Sequence, residues 1–163
     1  MPYELKVAGM EEISETLSKL EQQAPAVAAK ALYEGAGIMA DAIRGGAASI
    51  KTAKFKWASR SRGETRLPSP EEKEIVQNAA AGIAKFDKNG TEVQTSVGFQ
   101  NAGYAELEGK IVPVPVIVNS INSGTSFMQK QPFVRKAANS GSQKAMAAMK
   151  EVIEAEFEAI TKN

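Results

Sequence analysis

The chain reads as an α+β domain: a small, mostly antiparallel sheet of about four strands, with N-terminal helices and a long C-terminal helix packed on it. Three features predict this. Apolar residues recur at steps of three and four toward both ends of the chain. Strict alternation of apolar and polar residues runs from Val93 to Phe99. Just before it stands Asn89-Gly90, a pair suited to the positive φ angles of a tight hairpin turn. The expected order is β-α-α-α-β-β-β-α within one domain spanning 1–163.

Tyr3, Leu5 and Val7 alternate with Glu4 and Lys6, as a short half-buried strand would. Met10, Ile13, Leu17 and Leu20 then share one face of a helix. Pro25 marks a second helix start, carrying a stripe of Ala28, Leu32, Gly35, Met39 and Ala42. Gly35 and Gly37 each cost about 1 kcal/mol relative to Ala inside a helix, so they imply a closely packed neighbour. The helix is expected to stop near Gly45-Gly46. Residues 47–70 read as a long loop or arm. Ser69-Pro70-Glu71-Glu72 then begins a helix running to Ala81, with an N-cap, Pro in the first turn and carboxylates at the positive end of the dipole.

Ile83–Phe86 leads into the turn at Asp87-Lys88-Asn89-Gly90, and Val93, Thr95, Val97 and Phe99 return as a strand. Val112–Val118 reads as another strand, with Pro113 and Pro115 marking it as an edge. The final helix begins at Gln131-Pro132 and carries Met146, Met149, Ile153, Phe157 and Ile160. Asn139-Ser140-Gly141-Ser142 is a candidate kink within it.

Composition removes much chemistry. There is no Cys and no His, which rules out thiol nucleophiles, Ser-His-Asp catalysis in cis, disulfides and zinc sites built on those ligands. No phosphate-binding glycine loop, dinucleotide fingerprint or nucleophile elbow is present. The carboxylate pairs Glu71/Glu72 and Glu154/Glu158 lie on helices near lysines and read as solvated ion-pairing groups. The expectation is a non-enzymatic protein with no catalytic residue, no cofactor and no metal. No apolar run reaches bilayer length, and the N-terminus lacks the pattern of a signal peptide. Synthesis in the cytosol, without a membrane partner, is expected.

The net charge of +1 conceals segregation. Lys51, Lys54, Lys56, Arg60, Arg62 and Arg66 face a single acid, Glu64, within one segment. The first part of the chain is acidic, with Glu4, Glu11, Glu12, Glu15 and Glu21 against Lys6 and Lys19. These two elements could complement each other between copies. With Phe55 and Trp57 interleaved, the basic segment could instead neutralise phosphates and stack on bases, or reach an adjacent subunit with Trp57 as its anchor.

The stretch Asn122–Ala138 carries the strongest functional signal. A Gly-led loop, Gly124-Thr125-Ser126-Phe127-Met128, leads into a Pro-started helix through Gln131-Pro132-Phe133-Val134-Arg135-Lys136. Aromatic anchors beside Arg are typical of interface centres. Gly124, Thr125, Phe127, Met128, Pro132, Phe133 and Arg135 are therefore candidates for a subunit or partner interface, with core packing as the alternative for Phe127, Met128 and Phe133. Arg135 and Lys136 occupy a helix first turn, where the dipole disfavours cations, so an acidic surface is the natural counterpart.

This pattern resembles the C-terminal signature of the tail-completion, or head–tail joining, neck proteins of tailed bacteriophages. The Ala-rich helix over Ala24–Arg44, a variable arm, a hairpin ending in Val97-Gly98-Phe99 and a final amphipathic helix follow the same order. The resemblance implies a homo-oligomeric ring, usually a hexamer, in the virion neck. It implies contacts with the tail terminator or tail tube on one side and the head-completion or connector protein on the other. Non-specific contact with DNA passing through the ring is compatible with it. A tail terminator capping the tube is the near alternative, and a small nucleic-acid-binding protein using 51–66 is the alternative of another class.

Overall fold

The structure is a computed structural model of the chain and describes residues 10–54, 63–79, 82–83, 87–89, 92–99 and 102–162. The α+β class holds, with helix dominating. Helix α1 runs unbroken over Met10–Ala48 with Pro25 inside it, where the sequence suggested two helices. A proline removes one i→i−4 bond, and strong helix formers on both sides carry the helix past it. The helix ends at Ala48, two residues past Gly46 and close to the expected stop. A Cβ at Gly46 would lie 2.8 Å from the Ala137 Cβ and 3.2 Å from the Phe133 carbonyl oxygen, so this glycine serves packing inside the helix. The expected strand at Tyr3–Val7 falls outside the described residues.

Helix α2, Pro70–Asn78, starts as expected: Ser69 and Glu72 form a reciprocal capping box, with Pro70 in the first turn. It stops short of Ala81, and the Ala79 N–H makes a last bond to the Ile75 carbonyl. The strands are β1 (Gly82–Ile83), β2 (Asp87–Asn89), β3 (Glu92–Gln94), β4 (Val97–Gly98), β5 (Tyr104–Leu107) and β6 (Lys110–Pro113). Among the described residues these strands pair antiparallel in three two-stranded ladders: β1 with β4, β2 with β3, and β5 with β6. Asn89 pairs with Glu92 in the β2–β3 ladder and so belongs to β2, where the sequence placed it in the turn; Gly90 lies outside the described residues. From Val93 to Val97 the burial alternates as the sequence pattern required; at Gly98, half-buried like Val97, the alternation ends, and Phe99 is buried. A second hairpin, which the sequence reading missed, turns at Glu108-Gly109, where both residues have positive φ (53° and 76°).

The segment read as an edge strand is mostly helical. Only Lys110–Pro113 pairs in a ladder, and Val114–Ser123 is helix α3, with Pro113 as its N-cap and Pro115 in the first turn. Its buried residues, Val114, Ile117, Val118 and Ile121, follow i, i+3, i+4, i+7. Helix α4, Phe133–Lys162, is continuous through Asn139–Ser142. A Cβ at Gly141 would stand 2.9 Å from the Ala42 Cβ, so the expected kink is a point of close contact with α1.

Helices α1 and α4 pack antiparallel. Gly46 faces Ala137, Ala42 faces Gly141, Gly35 faces Met149, and Lys30 pairs with Glu156. The core continues from this seam through Ile43, Ala47 and Ile50 to Val76 on α2, Phe99 after β4, Ile117 and Ile121 on α3, Met128 and Phe133. Phe99 and Phe133 meet edge to face at 6.3 Å, tying the strand region to the start of α4.

Candidate interaction surface

The Gly124–Gln131 loop has a tightly fixed backbone. Gly124 caps α3 with φ 76° and ψ 167°, a conformation essentially restricted to glycine. A Cβ there would also sit 3.0–3.1 Å from the Lys130 backbone nitrogen, Cα and Cβ. The Thr125 N–H donates to the Met128 carbonyl at 3.0 Å, and the Thr125 hydroxyl accepts from the Met128 N–H at 3.0 Å. The Gln131 N–H donates back to the Ile121 carbonyl at 2.8 Å.

The loop is pinned from outside as well. Arg66 forms a parallel bridge with Met128: its N–H donates to the Phe127 carbonyl and its carbonyl accepts from the Gln129 N–H, both at 2.8 Å. Its guanidinium reaches the other way and makes two bonds to the Glu72 carboxylate, at 2.6 and 2.7 Å. Burial opposes ionisation of Glu72, but the bonds from Arg66 and Ser69 and the Arg66 charge outweigh it and hold the carboxyl below its ordinary value. The bond to Glu72 in turn raises the Arg66 guanidinium.

This geometry sorts the candidate interface residues. Met128 (3% exposed) and Phe133 (2%) are core side chains and do not anchor a partner. Phe127 is 41% exposed, so the loop buries one large apolar residue and displays the preceding one. Pro132 is half-buried, Arg135 and Lys136 are exposed on the first turn of α4, and Thr125 fastens the turn.

In the basic segment, Phe55, Lys56, Trp57, Arg60 and Arg62 lie outside the described residues. Lys51 and Lys54 are exposed. Arg66 is a structural clamp, and its commitment to Glu72 removes it from the groups expected to meet DNA or a neighbour. The signal for this was the Ser69-x-x-Glu72 capping pattern, which holds a carboxylate near the chain preceding α2.

A cleft of about 390 Å³ that the sequence did not suggest opens beside the loop. Ile50, Leu67, Pro132 and Phe133 supply its apolar lining, while Lys51, Lys130 and Lys136 contribute cations and no acid lines it. The Gln131 side chain closes one wall, accepting from the Lys51 N–H at 2.8 Å and donating to the Lys51 carbonyl at 2.9 Å. Among the described residues, no group of three or more Asp or Glu side chains is placed to hold a metal, and no helix is long and apolar enough to cross a membrane.

In comparison with known proteins, no family model, no curated protein and no solved structure matches the chain.

Proposed function

We propose that this chain is a non-enzymatic virion protein of a tailed bacteriophage. In this reading it forms a homo-oligomeric ring, a hexamer, at the head–tail junction. It completes the tail against the terminator or tube and meets the head-completion or connector protein on the other face. The supporting observation is the Gly124–Gln131 loop: a glycine-only backbone, an internal threonine clasp and an external bridge together hold Phe127 at the surface. A protein that uses a rigid loop to present an aromatic side chain is equipped for docking. The neck assignment itself rests on the sequence resemblance carried by the same residues.

Because Phe127 is exposed, Phe127→Asp leaves a folded protein but abolishes incorporation into particles, as read by the protein content of purified virions. Incorporation at the wild-type level defeats the assignment of this loop. Electron cryomicroscopy of the particle separates neck from terminator, since the two readings differ only in where the ring sits. The nucleic-acid reading predicts affinity for DNA that falls steeply with salt. It is weakened by the internal pairing of Arg66.

A further inference from the structure

The acidic N-terminal part of α1 and the lysine-lined cleft lie at opposite ends of the α1–α4 hairpin. Lys30 pairs with Glu156, so the last residues of α4, ending at Lys162, reach back only to the turn around Pro25. The stretch of α1 before that turn extends beyond α4. On it Ile13 and Leu17 are each 60% exposed and, with Leu20, form one apolar stripe. The sequence of this stretch holds four glutamates and a single lysine, and of these Glu15, Lys19 and Glu21 are exposed on the described helix.

The cleft presents the opposite character: an apolar lining under Lys51, Lys130 and Lys136. Among the described residues, neither these lysines nor Glu15 and Glu21 have an ion-pair partner. At 1.5 Å per helical residue, the 24 steps from Pro25 to the cleft's edge at Ser49, just past the end of α1, span roughly 36 Å. The two surfaces therefore cannot meet within one molecule.

We infer that the projecting N-terminal turns of α1 dock into the Lys51/Lys130/Lys136 cleft of a second copy of this chain, head to tail. Leu17 and Ile13 meet the apolar lining, and the glutamates meet the lysines. Arg135 and Lys136 then find the acidic surface that their place at a helix N-terminus calls for. A heterologous contact of this kind closes into a ring when its rotation permits. The inference rests on the ring reading and names the two patches that build the ring.

Complementary charge reversal tests it. One variant carries Glu15→Lys with Glu21→Lys, the other Lys130→Glu with Lys136→Glu; all four sites are exposed, and circular dichroism checks that both fold. Native mass spectrometry of the full chain is expected to show an assembled wild type and each variant alone as monomer. An equal mixture of the two variants is expected to regain assembly, because basic helices then meet acidic clefts and the reverse. Ile13→Ser with Leu17→Ser is expected to give monomer without any change of charge. Assembly of either reversed variant alone, failure of the mixture to assemble, or an unaffected serine variant overturns the docking while leaving a ring built through other surfaces standing. A wild type that stays monomeric at every soluble concentration overturns both.

Discussion

The seam between α1 and α4 makes a sharp prediction about glycine. Replacing a helical glycine by alanine stabilises a helix by about 0.5–1 kcal/mol if the new methyl has room. At Gly141 it does not: the added Cβ would stand 2.9 Å from the Ala42 Cβ and 3.3 Å from the Met39 sulfur. Carbon atoms pack at about 3.5–4.0 Å, and Ala42 has no side-chain torsion with which to yield, so the helices must part by roughly 0.6–1 Å. Overpacking of this kind costs about 1–3 kcal/mol. Gly141→Ala is therefore expected to destabilise by about 1–2 kcal/mol net, lowering Tm by roughly 2–8 °C for a chain of this size. At Gly37 nothing lies within 4 Å of the added Cβ. Gly37→Ala should accordingly raise stability by about 0.5–1 kcal/mol. Gly35→Ala falls between, because the atoms it meets at 2.7–2.8 Å belong to the flexible Met149 side chain. Urea unfolding followed by circular dichroism at one fixed protein concentration measures all three. If Gly141→Ala stabilises as much as Gly37→Ala, the close approach of the two helices is wrong.

Two further changes probe the loop and its clamp. Arg66→Ala strands the buried Glu72 carboxylate and is expected to cost about 3–5 kcal/mol by chemical unfolding. Because the folded Glu72 sits below its ordinary value, the wild-type contribution is full above the normal glutamate range and is lost as pH falls through that range to the depressed folded value; Glu72→Gln should flatten this part of the stability profile. Gly124→Ala forces a side chain into a glycine-only conformation against the Lys130 backbone and is expected to cost about 1–3 kcal/mol, read as a lower urea midpoint.

The long helices were legible because their apolar spacing is local, and Ser69-Pro70 marked the start of α2 for the same reason. Two patterns competed over 112–121. Valines at every even position suggested a strand, yet Val114, Ile117, Val118 and Ile121 satisfy the helical spacing equally well, and the paired prolines fit a first turn. On α4, size misled: Met146 is 65% exposed, whereas Ala137, Gly141 and Ala145 make the buried face. A seam between closely approaching helices selects small residues, which carry little hydropathy of their own. The sequence singled out the Gly124–Gln131 loop, but not which of its apolar residues would be buried and which exposed. Met128 is buried in the core and bridged through its backbone neighbours to Arg66, a contact between distant parts of the chain with no local trace. The cleft eluded the sequence because its lysines come from separate segments that only folding brings together.

The Ala53 N–H donates to the Pro68 carbonyl at 3.1 Å, and on either side of that bond Lys51 is held by Gln131 and Arg66 by Met128. The two ends of the basic segment are thus stapled together by these contacts. Once the ends are joined, doubling a connection's length costs only about 0.6 kcal/mol in closure entropy. Where the basic segment leaves the body and where it returns are therefore fixed by the Ala53–Pro68 bond, and a change in the number of residues between them carries little closure cost.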